Sequence, residues 1–149
     1  MSDSAKKYEG FTAEEKAAMK ARTAELKAEA RRGSAAAKAE EDLKNLLETI
    51  AEMPPADRAI AQRLHDAITE NVPELAPKTW YGQPAYMKDG KVLCFFQSSA
   101  KFNTRYSTFG FSDLANLDDG SMWQTSFGIT KLTDADEKKL IALVKKAAS

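Results

Sequence analysis

The sequence predicts an α+β fold: a mainly antiparallel sheet of about four or five strands, backed by helices and preceded by an N-terminal helical extension. Apolar residues recur at helical spacing up to residue 72, and from residue 80 their spacing becomes that of strands separated by turn signals. A chain of 149 residues has the length of one domain. We divide it into a charged helical extension, residues 1–39, and an α+β domain, residues 40–149.

The extension is predicted to form one helix over residues 12–32, where Ala, Lys, Glu and Arg dominate. Thr12 and Glu15 make a capping-box pattern at its start, and Gly33 follows its end. Its large apolar residues form only a narrow stripe. The helix is therefore interpreted as a peripheral arm, which could also dock on a partner protein or on a second copy of the chain.

Three more helices are predicted in the domain. The second helix follows Ser34 and carries leucines and an isoleucine at three- and four-residue spacing in its second half. The third lies between Pro54-Pro55 and Val72-Pro73, because prolines end helices and also begin them. The last opens at Thr133 with an acidic first turn, which suits both the cap and the helix dipole.

Four strands are predicted, at residues 80–87, 92–97, 102–111 and 125–129. Asp89-Gly90 is a typical two-residue hairpin turn between the first two. Pro84 places the first strand at an edge or a bulge, because proline cannot donate to a neighbouring strand. Strict alternation puts Cys94 and Phe96 on one face of the second strand, with Leu93 and Phe95 on the other.

Composition favours a cytoplasmic protein without a membrane or nucleic-acid partner. The single cysteine, Cys94, has apolar neighbours and is predicted to be a buried thiol. No apolar run approaches the ~20 residues that span a bilayer. The 22 basic and 22 acidic residues divide into 9 and 6 in residues 1–39 and 13 and 16 in the remainder, so no strongly basic region results. A monomer or a weak homodimer is expected.

Aromatic residues with polar tips are concentrated in the predicted sheet, with basic residues among them. Such rings and cations could hold an aromatic or anionic small molecule by stacking and charge-assisted hydrogen bonds. Packing of aromatic side chains on a pleated surface explains the same concentration and stays open as the alternative. The candidate ligand-binding residues are Trp80, Tyr81, Tyr86, Lys101, Arg105, Tyr106 and Trp123.

Two acidic pairs are candidate ligands for a hard cation. Asp118 and Asp119 lie beside a glycine in a predicted loop, and Asp134 and Asp136 lie in the first turn of the last helix. An ordinary turn explains the first pair, and helix capping explains the second. Cation binding and these structural roles both stay open for each pair.

No catalytic constellation is recognised in the sequence. The only histidine, His65, has no nucleophile or orienting partner close to it in sequence, and Cys94 has no activating neighbour. No glycine-rich phosphate loop and no nucleophile elbow are found. The protein is therefore predicted not to be an enzyme.

Residues 78–86, Lys-Thr-Trp-Tyr-Gly-Gln-Pro-Ala-Tyr, resemble the strand that opens the sheet in the YdhG-like family of bacterial domains. The order of elements also resembles that family from Pro54-Pro55 to the final helix, over about two thirds of the chain. Residues 1–39 are an addition to the family pattern, and residues 109–123 stand where a longer helical insert is usual. Most members are uncharacterised, and some are described as frataxin-like intracellular iron chaperones.

These observations lead to two functional hypotheses. The first is a non-enzymatic binding module of the YdhG-like type, which takes an unknown small molecule or protein at the aromatic and basic face of the sheet and needs no cofactor. The alternative, implied by the resemblance, is an iron chaperone that binds iron through surface carboxylates.

Overall fold

The computed structural model describes residues 11–31 and 34–149, which form an α+β arrangement of five helices and a five-stranded antiparallel sheet. None of the helices within these ranges is both long and apolar enough to cross a bilayer. In chain order the elements are α1 (Ala13–Arg31), α2 (Ala35–Ala51), α3 (Pro55–Asn71), β1 (Ala76–Trp80), β2 (Gln83–Lys88), β3 (Lys91–Gln97), α4 (Ser99–Phe102), β4 (Ser107–Phe111), β5 (Ser126–Ile129) and α5 (Asp134–Ala148).

Three of the four predicted helix starts are confirmed by their side-chain caps. The backbone N–H of Glu15 donates to Thr12 Oγ1 over 3.0 Å, and the Glu15 carboxylate accepts from the Thr12 N–H in return. Ser34 caps α2, and Thr133 and Asp136 form a complete capping box at α5. Each cap satisfies backbone donors that the first helical turn leaves without partners.

The strands follow one another as neighbours in the sheet, in the order β1-β2-β3-β4-β5. The predicted strand 80–87 is wrong in its bounds, because the chain reverses at Tyr81 and Gly82 and splits it into β1 and β2. Both turn residues have positive φ angles, +52° and +73°. A tyrosine at such a position is not a turn signal, so Gly82 alone predicts an interruption within one strand and not a reversal between two strands.

Three further predictions of the sheet are corrected. β2 lies between β1 and β3, so Pro84 is not on an edge strand; it stands near the start of β2, and pairing with β3 begins only at Ala85. Residues 102–106 are not strand, since α4 and a turn precede β4. A bulge opposite Tyr86 breaks strict alternation in β3, so Leu93 joins Cys94 and Phe96 in one buried cluster.

One face of the sheet, here the core face, holds the main hydrophobic core. α3 and α5 pack against each other over this face, and α2 runs along β1 and adds Leu46 and Ile50. Burial of these large apolar side chains is the main source of the fold's stability. Register and burial place the following sheet residues on the core face: Tyr86, Cys94, Phe96, Phe109, Phe111 and Ile129.

The opposite face, here the second face, is covered in part by α1. By register it carries Lys78, Trp80, Gln83, Ala85 and Phe95, with Gly110 beneath the Phe95 ring. α1 lies against β1 and α4, and Glu29 of α1 forms an ion pair with Lys78. The predicted extension therefore supplies one helix of the layer over the sheet.

Candidate functional site: a cleft between α1 and the second face of the sheet

The structure separates the predicted ring residues. Trp80 lies at the end of β1, with its ring edge-on to Tyr81 at 4.9 Å and tilted against Phe95 at 5.4 Å between centroids. Tyr86 instead lies in the core, where its hydroxyl and His65 Nδ1 share a hydrogen bond of 2.9 Å. Trp80 and Tyr81 can thus serve one site, and Tyr86 cannot share it because it lies on the other face of the sheet.

The remaining predicted ligand-binding residues lie elsewhere. The Arg105 guanidinium stacks over the Tyr106 ring at 5.2 Å, and that ring covers Gly128. Trp123, 38% exposed, lies in the segment before β5. Lys101 of α4 does reach the β1–β2 turn, where its Nζ donates to the backbone oxygen of Tyr81 over 2.9 Å. Burial lowers the pKa of Lys101, and the nearby Glu25 carboxylate partly opposes that effect.

Trp80 and Tyr81 form one wall of a cleft of about 280 Å³ between α1 and the second face. The residues around it are mainly aromatic or aliphatic, with two amides and one carboxylate among them. They are Phe11, Glu15, Ala18, Met19, Trp80, Tyr81, Gln83, Phe95, Gln97 and Phe102. Sequence reasoning missed those from α1 and α4, because nothing local in the sequence indicates that α1 folds back over the sheet.

The turn between β1 and β2 is held in place by charged groups from two helices. The backbone N–H groups of Tyr81 and Gly82 donate to the Glu25 carboxylate over 3.1 and 3.3 Å, and Lys101 binds the Tyr81 carbonyl. A Cβ atom on Gly82 would lie 2.1 Å from Lys101 Nζ and 3.2 Å from the Ala21 side chain. The positive φ of Gly82, +73°, favours glycine at this position, and the hydrogen bonds to Glu25 attach α1 to the turn at the edge of the cleft.

Gln83 is a polar residue of the cleft whose side-chain oxygen lacks a hydrogen-bond donor in the described part of the chain. The residue is 5% exposed, and its Oε1 has no hydrogen-bond partner among the described residues. A buried amide oxygen left in this state costs about 1–3 kcal/mol of stability.

Charges of both signs lie at the cleft, because the Glu15 carboxylate lines it and Lys101 Nζ lies 5.9 Å from the centroid of the lining Phe102 ring. Among the described residues, no lysine or arginine lines it, although the Arg22 guanidinium lies 5.9 Å from the Tyr81 ring centroid. The Glu15 carboxylate is partly engaged by the Thr12 N–H. The mainly aromatic lining therefore suits a flat ring.

A second polar cluster, also missed from the sequence, surrounds Asp57 at the start of α3. Its buried carboxylate accepts hydrogen bonds from the hydroxyls of Ser98, Ser99 and Ser107 and from the Ala100 N–H, over 2.6–3.1 Å. Burial alone would raise the pKa of Asp57, but the four donors outweigh burial and lower it. Because donors satisfy both carboxylate oxygens, we interpret the cluster as an anchor between α3 and the β3–α4 junction.

Cys94 and His65 are core residues. Cys94 is fully buried, as predicted, and burial raises the pKa of its thiol. Burial also lowers the pKa of His65, although Asp66 nearby opposes that shift, and burial raises the pKa of Tyr86 well above its ordinary value. The His65–Tyr86 pair therefore stays neutral near pH 7.

The four carboxylates predicted to bind a cation are spread over two places. Asp134 pairs with Arg63, Asp136 caps α5, and Asp118 and Asp119 are exposed in the segment before β5. Over residues 11–31 and 34–149, no group of three or more His, Cys, Asp or Glu side chains is placed to hold an ion. Iron binding at these residues stays a prediction, which an anaerobic titration with ferrous iron tests.

Compared with known protein families, with curated proteins and with solved structures, the chain has no match in any of the three. The resemblance to the YdhG-like family therefore stays a prediction, and the functional argument depends on the site alone.

Proposed function

We propose that the protein is a non-enzymatic module that binds a flat, ring-containing small molecule in the cleft between α1 and the second face of the sheet. The observation that carries the proposal is the convergence of Trp80, Tyr81, Phe95 and Phe102 around one space of about 280 Å³. Small-molecule sites are commonly apolar concavities of roughly 300–1,000 Å³ with a few convergent polar groups, so this space suits a ligand of one or two fused rings.

The conformation of the β1–β2 turn supports the proposal. Tyr81 adopts φ +52°, a region that bulky residues rarely occupy and that costs about 1–3 kcal/mol. Asparagine or glycine would fit the same turn without that cost. A tyrosine held there by Glu25 and Lys101 is instead consistent with a ring that must stand beside Trp80 at the cleft.

The expected affinity is modest. Each aromatic contact contributes about 0.5–1.5 kcal/mol beyond the area that it buries. Stacking against Trp80 and Phe95 therefore adds about 1–3 kcal/mol to the contribution of the buried apolar area, and we expect dissociation constants of about 0.1–1 mM for simple fragments. A natural ligand with further polar contacts would bind more tightly.

The test is a fragment library of planar and non-planar compounds, screened against the full chain by ligand-observed NMR. We expect enrichment of planar aromatics, with binding weakened about tenfold or more by Trp80→Ala. Trp123→Ala is the matched control, since it removes the other tryptophan, which does not line the cleft. Absence of planar hits, or equal binding by wild type and Trp80→Ala, would refute the proposal.

A further inference from the structure

The two edge strands of the sheet have different surroundings. α2 runs along β1, whereas β5 has β4 on one side and, among residues 11–31 and 34–149, no strand on the other. Such an edge presents unpaired backbone donors and acceptors, to which an extended chain can bond. The outer edge of β5 is therefore a candidate interaction surface.

The backbone groups of Ser126 and Gly128 point to this outer edge. Antiparallel strands exchange hydrogen bonds at every second pair of residues. The Phe111 N–H donates to the Thr125 carbonyl over 2.8 Å, so in the register of β4 with β5 the pairs formed by Ser126 and Gly128 are those without bonds to β4. Both residues are exposed, so an approaching chain can reach them.

The Ser126 N–H and both backbone groups of Gly128 are available for pairing. The Ser126 carbonyl already accepts from the side-chain amide of Gln124 over 2.9 Å. Within the described ranges, no side chain bonds to the Ser126 N–H or to the backbone of Gly128.

A groove of about 240 Å³ lies beside this edge, between β5 and α5, and Gly128 lines it. Its apolar lining includes Phe127, Leu132 and Leu140. Because Phe127 packs against the core, a strand added to β5 would direct alternate side chains to the same face and into the groove.

The groove carries positive charge that the described residues leave unpaired. Lys131 and Lys139 line it, both are exposed, and neither forms an ion pair within the described part of the chain. Lys139 Nζ lies 5.5 Å from the centroid of the Phe127 ring. The one carboxylate in the described lining, Asp136, caps α5, and the other acids of that turn pair with Arg63.

We infer that β5 is the docking edge for an extended, acidic segment of a partner protein, which adds to the sheet as a further strand. Ser126 and Gly128 supply main-chain hydrogen bonds, the groove takes an apolar side chain, and Lys131 and Lys139 pair with acidic side chains beside it. A second copy of the chain is a poorer occupant, because pairing of two β5 strands would place these lysines of both copies on one face of the joined sheet. The inference is independent of the cleft and of the proposed function.

The first test titrates the nitrogen-15-labelled full chain with an acetylated and amidated peptide, Glu-Thr-Val-Thr-Glu, and follows the amides by NMR. As an added strand, this peptide directs its valine and both glutamates to the groove. We expect a saturable shift of the Ser126 and Gly128 amides, and about tenfold weaker binding of the control peptide Lys-Thr-Val-Thr-Lys. No saturable shift at these amides, or equal binding of the two peptides, would overturn the inference. Concentration-dependent shifts of the same amides without peptide would identify a second copy as the occupant and would also overturn it.

Two N-methylated forms of the acidic peptide test the strand pairing itself. Residues that exchange bonds across antiparallel strands point their side chains to the same face, so the two threonines should bond to β5. We expect N-methylation of both threonines to weaken binding about tenfold or more, and N-methylation of the valine and the last glutamate to leave binding nearly unchanged. Equal binding of the two forms would show that charge alone attracts the peptide, and the inference would be wrong.

The variant Lys139→Glu assigns the attraction to the groove. We expect it to bind the acidic peptide about fivefold more weakly than Lys145→Glu does, because a repulsion replaces an attraction at the groove. Lys145→Glu is the matched control, since it makes the same charge change in the last turn of α5, outside the groove lining. Equal binding by the two variants would mean that net charge and not the groove attracts the peptide, which contradicts the inference.

Discussion

The two faces of the sheet are built in different ways. On the core face, α3 and α5 close over large apolar side chains, and Phe96 and Phe109 are almost completely buried. On the second face, α1 is attached by an ion pair to Lys78 and by the Glu25 carboxylate, and Ala18 is the only residue of α1 whose described side chain is buried. The first face is packed and the second leaves a cleft.

Under the proposed function, this difference assigns stability to the core face and ligand binding to the second face. A packed apolar layer supplies most of the free energy of folding. A helix held by polar contacts at a few points can leave space for a ligand without loosening that layer. The predictions below compare the two faces, from the largest expected effect to the smallest.

Neighbouring phenylalanines of β3 give the most direct comparison. Phe96 faces the core and is 1% exposed, whereas Phe95 is half-buried on the second face. We expect Phe96→Ala to lower the free energy of unfolding by about 3–5 kcal/mol and Phe95→Ala by about 1–2 kcal/mol. Urea denaturation measures both. Equal losses of unfolding free energy in the two variants would show that both faces of the sheet contribute equally to stability.

The Asp57 anchor should have the next largest effect. Asp57→Ala leaves three serine hydroxyls and the Ala100 N–H without their acceptor, so we expect a loss of about 3 kcal/mol in urea denaturation. Asp66→Ala, an exposed aspartate on the same helix, is the control and should cost about 0.5 kcal/mol or less.

The lowered pKa of Asp57 adds a pH dependence to this difference. The ionised Asp57 carboxylate contributes its full share to the free energy of unfolding above about pH 4, the pKa of an aspartate in the unfolded chain. That contribution is lost as the pH falls through the lower pKa of Asp57 in the folded state. The gap in stability between wild type and Asp57→Ala should therefore narrow in strong acid. A gap that stays constant down to pH 2 would contradict an ionised Asp57.

The hydrogen bonds between Glu25 of α1 and the β1–β2 turn should contribute less to stability. We expect Glu25→Gln to weaken the hydrogen bonds to Tyr81 and Gly82 by about 1 kcal/mol, so that these two amides exchange with solvent about fivefold faster. Glu14→Gln, on the first turn of the same helix, is the control. Unchanged exchange in Glu25→Gln would mean that this carboxylate does not hold the turn.

The smallest effect is a pH dependence from His65, the only histidine of the chain. Burial lowers its pKa in the folded state, so the unfolded state takes up its proton first as pH falls below about 6.5. Stability should therefore decline from that pH downwards in wild type, and this part of the decline should be absent in His65→Gln. If stability declined with pH equally steeply in wild type and in His65→Gln, the decline would not come from His65.

The sequence was most informative where the cause of structure is local. Cap residues located the starts of three helices, and the Asp89-Gly90 turn and the alternation of aromatic residues located the second hairpin. The Tyr81-Gly82 turn was predicted only as an interruption of one strand, because Glu25, which accepts hydrogen bonds from both turn residues, is 56 residues away in sequence from Tyr81. Local propensity carries no record of such a contact.

The site was predicted only in part for the same reason. Trp80 and Tyr81 were identified from their chemistry, but alternation could not show that Tyr86 lies in the core with His65. The unsatisfied Gln83 amide has no sequence signal, because it can be recognised only once the burial of the side chain is known. Long-range packing of α1 on the sheet decides which residues surround the cleft.

The central claim is that a flat ring enters the cleft beside Trp80. The chain has two tryptophans, so labelling with 5-fluorotryptophan gives two fluorine resonances, which Trp123→Phe assigns. On titration with indole, the account predicts a saturable shift of the Trp80 resonance and none of the Trp123 resonance. A Trp80 resonance that stays fixed at saturating indole, or a shift at Trp123 alone, would contradict it.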